Sequence, residues 1–229
     1  MNRQFSNYAS AAGKANLAKL VEPSTDVVAY SYALYQLGTE LGEVLAQKIL
    51  DKDKNICVAC TVEDADFLAK GIIDSLTGSF AHISLACFWN NRQQALSIAP
   101  ILRKYREPDV SNANVLIVIK SVISGACVVK TNLTNLIQDI NPESIFVVAP
   151  VIHTQAPEKL NKEFPSEIAA KFSYLYFAQD FEKQENGNLV PGIGGEIYQR
   201  LGFKNQEDKN SFTPQIVKNR RQLLMQALN

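Results

Sequence analysis

The sequence predicts an α/β fold: a mostly parallel, twisted sheet with helices on both faces and further helices at the N- and C-terminal ends. Three observations predict it. From Asn55 onward, short β-rich runs alternate with helical stretches. The longest apolar runs, such as Val115-Leu116-Ile117-Val118-Ile119, have the length of a strand buried on both faces. A long amphipathic segment precedes them, with one apolar face to lay on something flat.

The elements are read in chain order. A short helix is expected near Ala11 to Leu20. The cluster Pro23-Ser24-Thr25-Asp26 then supplies turn and cap chemistry for the amphipathic helix, in which Leu34, Leu37, Leu41, Leu45 and Ile49 recur at three- and four-residue steps. Strands are expected over Ile56 to Val62, Ile83 to Phe88, Val115 to Ile119, Ser144 to Ala149 and Phe172 to Phe177. A last helix spans about 213–228, with Thr213 as N-cap and Pro214 at its first position. Ile216, Leu223, Leu224 and Leu228 form its docking stripe, and Lys218, Arg220 and Arg221 a solvated basic face. Residues 1–229 read as one domain. In open sheets of this kind ligands bind at the carboxyl ends of the strands, so the function is sought there.

Composition narrows the function classes. Hydrophobic residues make up 46% and charged residues 20%, enough to bury a full core. Lysine plus arginine (23) balance aspartate plus glutamate (23), which leaves no long-range field to draw the protein to nucleic acid or an anionic membrane. No apolar run approaches the roughly 20 residues of a membrane span. The first residues, Met1-Asn2-Arg3-Gln4-Phe5-Ser6, lead into a polar, alanine-rich stretch unlike a secretory signal, so a cytoplasmic location is expected and the four cysteines are read as reduced thiols. Cys57 and Cys60 sit an odd number of residues apart in a strand, which sends them to opposite faces and argues against a shared metal. His82 and His153 are read as structural, and no metal site is expected.

Two segments carry more specific information. Val115-Leu116-Ile117-Val118 runs into Ile119-Lys120-Ser121-Val122-Ile123 and the small-residue turn Ser124-Gly125-Ala126-Cys127, which opens a helix. This resembles the phosphoribosyl-diphosphate signature of type I phosphoribosyltransferases, where apolar strand residues precede acidic residues and a Thr-Gly-Gly-Thr or Thr-Gly-Gly-Ser turn. In that pattern the turn offers backbone N–H groups to a 5′-phosphate and the carboxylates hold the ribose hydroxyls. Here Ile119 and Lys120 stand in the carboxylates' place. Further on, Leu189-Val190-Pro191-Gly192-Ile193-Gly194-Gly195 resembles the glycine-rich segment with which uracil phosphoribosyltransferases read the base, although Gly195 replaces the family's aspartate and Glu196 lies beside it. The resemblance covers about 26–203.

The resemblance places the pyrophosphate loop after the first central strand, where Glu63 and Asp64 replace a basic residue and its small neighbours. Arg92 falls near a family arginine. It implies a phosphate site at Ser124, Gly125, Ala126 and Cys127, a base site at Val190, Gly192, Gly194 and Gly195, a phosphate-bearing or nucleotide ligand, and a homodimer. Mg2+ is implied only if transfer survives. Phosphoribosyl transfer needs anions near the ribose and cations near the pyrophosphate, and this sequence reverses both signs. The expectation is a uracil-phosphoribosyltransferase-like protein with impaired catalysis, no assignable catalytic residue and a sensing or regulatory role. An active transferase, recruiting Glu196 or Asp64 and Arg92, and an interaction scaffold are the alternatives. Glu63, Asp64 and Asp66 are read first as a solvated acidic helix start; the second reading makes Glu63, Asp64 and Lys120 a site for another ligand, with an ion pair across the cleft.

Overall fold

A computed structural model describes residues 2–93 and 98–227. Its centre is an eight-stranded sheet. Five strands form its parallel body: β2 (Ile56–Thr61), β3 (Ile83–Asn90), β5 (Val115–Ile119), β7 (Ser144–His153) and β8 (Phe172–Asp180). The antiparallel strands β1 (Arg3–Phe5) and β4 (Ile101–Arg106) close the two edges, and β6 (Val122–Ile123) adds to β7. The order is β1-β8-β7-β5-β2-β3-β4. Every residue of β2 and β5 is buried, which explains why these strands read as continuous apolar runs.

The sheet is covered on both faces. On one lie α1 (Ala11–Val21), α2 (Val27–Lys48) and α3 (Lys70–Thr77), with Leu34, Leu37, Leu41 and Leu45 in one cluster with Val58, Cys60 and Ile117. On the other lie α4 (Cys127–Leu136), α5 (Ala156–Lys162) and the one-turn α6 (Ser166–Ala169), where Val129, Leu133 and Leu160 meet Cys57, Ala59 and Val118. Cys57 and Cys60 thus point to opposite faces as free thiols. Burial pushes the Cys57 thiol up to about 12, so it is inert at neutral pH. The Asp26 carboxylate caps α2 by accepting from the Ala29 N–H at 2.8 Å. Near its middle, α2 meets α3 backbone to backbone: a Cβ on Gly71 would lie 2.3 Å from the Tyr35 carbonyl oxygen.

The strand positions agree with the sequence, but β7 and β8 run on to His153 and Asp180. The edge strands β1 and β4 were not anticipated: one is three residues long and the other carries Arg103, Lys104 and Arg106, the charged character that keeps an edge from pairing further.

The C-terminal helix departs most from expectation. After α7 (Ile197–Arg200) and α8 (Gln206–Ser211) comes α9 (Gln215–Ala227). Its first N–H groups are capped from another element, since the Asp66 carboxylate accepts from Gln215 and Ile216, each at 2.8 Å. Val217 is the buried anchor of its docked face, whereas Leu223 is exposed and Leu228 lies outside the described residues. Lys218 and Arg221 of the basic face are exposed as expected, but Arg220 is part-buried and two of the three side chains are engaged. Arg220 donates to the Ile83 carbonyl and pairs with Glu107, and the Arg221 guanidinium lies over the Tyr105 ring. Just before α9, the Phe212 carbonyl accepts from the indole N–H of buried Trp89 at 2.8 Å, while the Arg103 guanidinium covers that indole at 4.2 Å. Among the described residues, no helix is long and apolar enough to cross a membrane.

Candidate functional site

The carboxyl ends of β2 and β5 are neighbours because the two strands pair in parallel, Ala59 beside Val118. The segments leaving the two strands are therefore brought together. β2 leads into a tight turn over Val62–Asp64, then one π-helical turn, Ala65–Ala69. β5 leads into Lys120 and Ser121. The Lys120 ammonium donates to Asp64 Oδ2 at 2.5 Å and to Glu63 Oε1 and Thr61 Oγ1, both at 3.0 Å. Asp64 is fully buried; its other oxygen accepts from the Ser121 N–H at 3.1 Å. Of the two sequence readings, the solvated acidic start gives way to the ion pair across the cleft. The charges are buried, and only mutual pairing makes that tolerable.

A second lysine joins from far along the chain. Lys209 of α8 is buried, donates to the Asn90 carbonyl at 3.0 Å and sits 3.6 Å from Glu63 Oε2. Burial pushes the Glu63 carboxyl upward, but Lys120 and Lys209 outweigh it and hold the group at about 2. Burial likewise works against the charged form of Lys120, and Asp64 and Glu63 more than reverse it, leaving the ammonium above the usual lysine range. Both partners thus stay ionised at neutral pH.

Beside this network lies a cavity of about 100 Å3 at the strand ends. Of the residues singled out from sequence, Ser124, Gly125, Cys127, Gly192, Gly195, Glu196, Glu63 and Arg92 line it. Four others do not. Asp64 is sealed behind Lys120. Ala126 packs against the core beneath α4. Val190 pairs with Glu182 in the hairpin of β9 (Glu182–Lys183) and β10 (Leu189–Val190). Gly194 is pressed against α1, where an added Cβ would stand 2.2 Å from the Leu20 carbonyl oxygen.

The wall at α4 favours anions. The helix begins after Ala126 with no side-chain cap and no acidic residue in its first turn, so its leading N–H groups remain free for a ligand. Lys183 reaches over from β9 to donate to the Ser124 carbonyl. Burial, then repulsion from Lys159 and Arg92, holds Lys183 below the ordinary lysine range. His153 is kept neutral-leaning by burial and then by Lys183 and Lys159. Arg92 is fixed at its backbone, which exchanges two hydrogen bonds with the Gln206 amide.

The opposite wall is the glycine turn after a cis Val190–Pro191 peptide. Gly192 adopts φ +59°, the left-handed region that glycine enters at no steric cost. Its N–H donates to buried Asp180 at 2.8 Å, Arg3 of β1 grips that carboxylate with both donors at 2.7 Å, and the same guanidinium donates to the Gly192 carbonyl at 2.6 Å. Arg3, Asp180, Lys183, Asn90 and Lys209 are site-shaping residues that sequence reasoning missed.

No known family profile matches this chain, and no curated protein does. Among solved structures, the AQ2163 protein from Aquifex aeolicus superposes with a TM-score of 0.69 over 86% of this chain and 96% of that one, at 13% identity. The chain shares its fold with that protein. Looser similarity extends to an orotate phosphoribosyltransferase from Mycobacterium tuberculosis, at TM-score 0.46 and 11% identity over 75% and 90% of the two chains. A hypoxanthine-guanine phosphoribosyltransferase from Bacillus anthracis superposes at 0.43 and 10% identity over 80% and 86%.

Proposed function

We propose that this chain is a uracil-phosphoribosyltransferase-like protein with impaired transfer chemistry, whose pocket binds a phosphate-bearing nucleotide in a sensing or regulatory role. The observation that carries the reading is the position of Lys120. Its ammonium occupies the end of β5, where phosphoribosyl transfer calls for negative charge to meet the cation developing on the ribose. The carboxylates of Glu63 and Asp64 occupy the end of β2, where a leaving pyrophosphate calls for positive charge. The two reversals meet in one ion-paired cluster, whose charge balance Lys209 completes.

The residues present do not suit Mg2+. At the end of β2, Asp64 and one oxygen of Glu63 are bound to the Lys120 ammonium and the other Glu63 oxygen faces Lys209, so a divalent cation entering there meets direct repulsion. The alternative of an active transferase is therefore the less favoured one. The α4 wall is different, because its free N–H groups, Lys183 and Arg92 all suit a phosphate. Ser124, Gly125 and Cys127 hold the phosphate in this reading, and Gly192 and Gly195 face the base, whereas Ala126, Val190 and Gly194 lie outside the cavity. One domain, a cytoplasmic location and a homodimer belong to the same proposal.

Calorimetric titration tests it. Uridine monophosphate is expected to bind, phosphoribosyl diphosphate with Mg2+ to bind no more tightly, and a mixture of that donor with uracil to yield no uridine monophosphate. Formation of the product would sink the impaired-enzyme reading, and silence from every phosphorylated compound would sink the pocket.

A further inference from the structure

We infer that α8 is a lid: it closes the cavity in the form described above and lifts as a unit to admit a ligand of nucleotide size. The inference takes that size from the nucleotide reading above. At about 100 Å3 the cavity is too small for such a ligand, since pockets that enclose drug-sized molecules measure roughly 300–1,000 Å3. One wall must therefore move, and Gln206 and Lys209 of α8 both line the cavity.

The other walls are fixed. α4 carries Val129 and Leu133 into the core, and the glycine turn is clamped by Arg3 and Asp180. α8 is different, because Gln206-Glu207-Asp208-Lys209-Asn210-Ser211 contains no apolar side chain. Polar contacts hold it down: the Gln206 amide exchanges two hydrogen bonds with the Arg92 backbone, and buried Lys209 donates to the Asn90 carbonyl and pairs with Glu63. An element without apolar burial opens at low cost. Closure also leaves Asn210 Oδ1 buried with no hydrogen-bond partner, a penalty that water relieves when the helix lifts. Lys120 keeps Glu63 and Asp64 paired when Lys209 withdraws.

The segment has the build of a lid. α8 carries its own caps: Asn205 accepts from the Asp208 N–H at 2.8 Å and the Asp208 carboxylate from the Lys204 N–H at 3.0 Å, so the helix can move without unwinding. The Phe203 and Phe212 rings, 5.3 Å apart, hold its two ends together as in an Ω-loop. Beyond them the chain is pinned on both sides. Arg200 donates to the Glu22 carbonyl at 2.9 Å and lies over the Tyr30 ring, and the Phe212 carbonyl is held by Trp89 and Arg103. Exposed Gly202, at φ +87°, is the pivot on the first side. α8 lies beyond 26–203, outside the part of the chain that resembles the transferases.

Cys127 supplies the test, because it lines the cavity and is the one cysteine of the four that is not buried. Its reaction with two thiol reagents, compact methyl methanethiosulfonate and bulky dithiobis-nitrobenzoate, is timed by mass spectrometry in wild type and in Gln206→Ala, which removes both bonds to Arg92. The variant is expected to react about tenfold faster with the bulky reagent, while its rate with the compact one changes by less than about twofold. In the free wild-type protein, hydrogen exchange is expected to be faster at the amides of α8 than at those of α4 and α9. An equal effect on both reagents, or none, overturns the lid, as does exchange in α8 no faster than in α9. If uridine monophosphate binds neither protein, the nucleotide reading falls, and the thiol and exchange rates still decide the lid.

Discussion

At the scale of single residues, the Lys120 ammonium and its two carboxylates set the chemistry. Replacing Lys120 by Met leaves Asp64, fully buried, without its cation, and is expected to cost about 3–5 kcal/mol in urea unfolding. Adding Asp64→Leu should restore much of that loss, because the unpaired charge goes with it. Acid should act on the same network. Glu63 is held at about 2, below the ordinary carboxylate range, so its contribution is present above the unfolded value near 4.5 and fades as the pH falls toward 2. The loss is on the order of 3 kcal/mol between about pH 5 and pH 2. Unfolding free energies measured across that window should fall more steeply for wild type than for Glu63→Gln. Introducing aspartate at Ile119 tests the lapsed transferase. A gain of uridine monophosphate synthesis would show that the scaffold still supports transfer once a carboxylate returns.

At the scale of elements, what was legible in the sequence was what local periodicity or residue type encodes. The leucine steps of α2 and the apolar runs of β2 and β5 are local, and the helices and strands lie where they predict. The small-residue turn before α4 and the glycine turn after β10 were likewise visible, because few other residues make such turns. The residues that fix those turns were not visible. Arg3 and Asp180 are 177 positions apart, and Lys209 and Asn90 are 119 apart, so only the folded sheet brings them together. The cap of α9 was misplaced for the same reason: the acceptor is Asp66, 149 residues before the donor. Asp66→Ala should cost about 1 kcal/mol and speed amide exchange in the first turn of α9 more than elsewhere. Gly71→Ala should be worse than the usual helix-favouring change, costing several kcal/mol, because the new methyl meets backbone at 2.3 Å and α2 and α3 must part. Thermal melting of the variant measures it.

At the scale of the whole molecule, the segment between β2 and α3 works in two directions. Glu63 faces the cavity while Asp66, three residues on, holds α9. Pocket and C-terminal helix therefore share one support, and they are expected to unfold together. The C-terminal end is also tied at Trp89, whose indole bonds the carbonyl of Phe212 and is shielded by Arg103. Trp89 is the chain's single tryptophan and is 1% exposed. Its emission is thus an intrinsic optical gauge with no competing signal. It should be blue-shifted in the folded protein and move to the red when the segment before α9 peels away and water reaches the ring. Adjacent Asn90 lines the cavity, so a ligand settling there should alter the same emission without any label being attached.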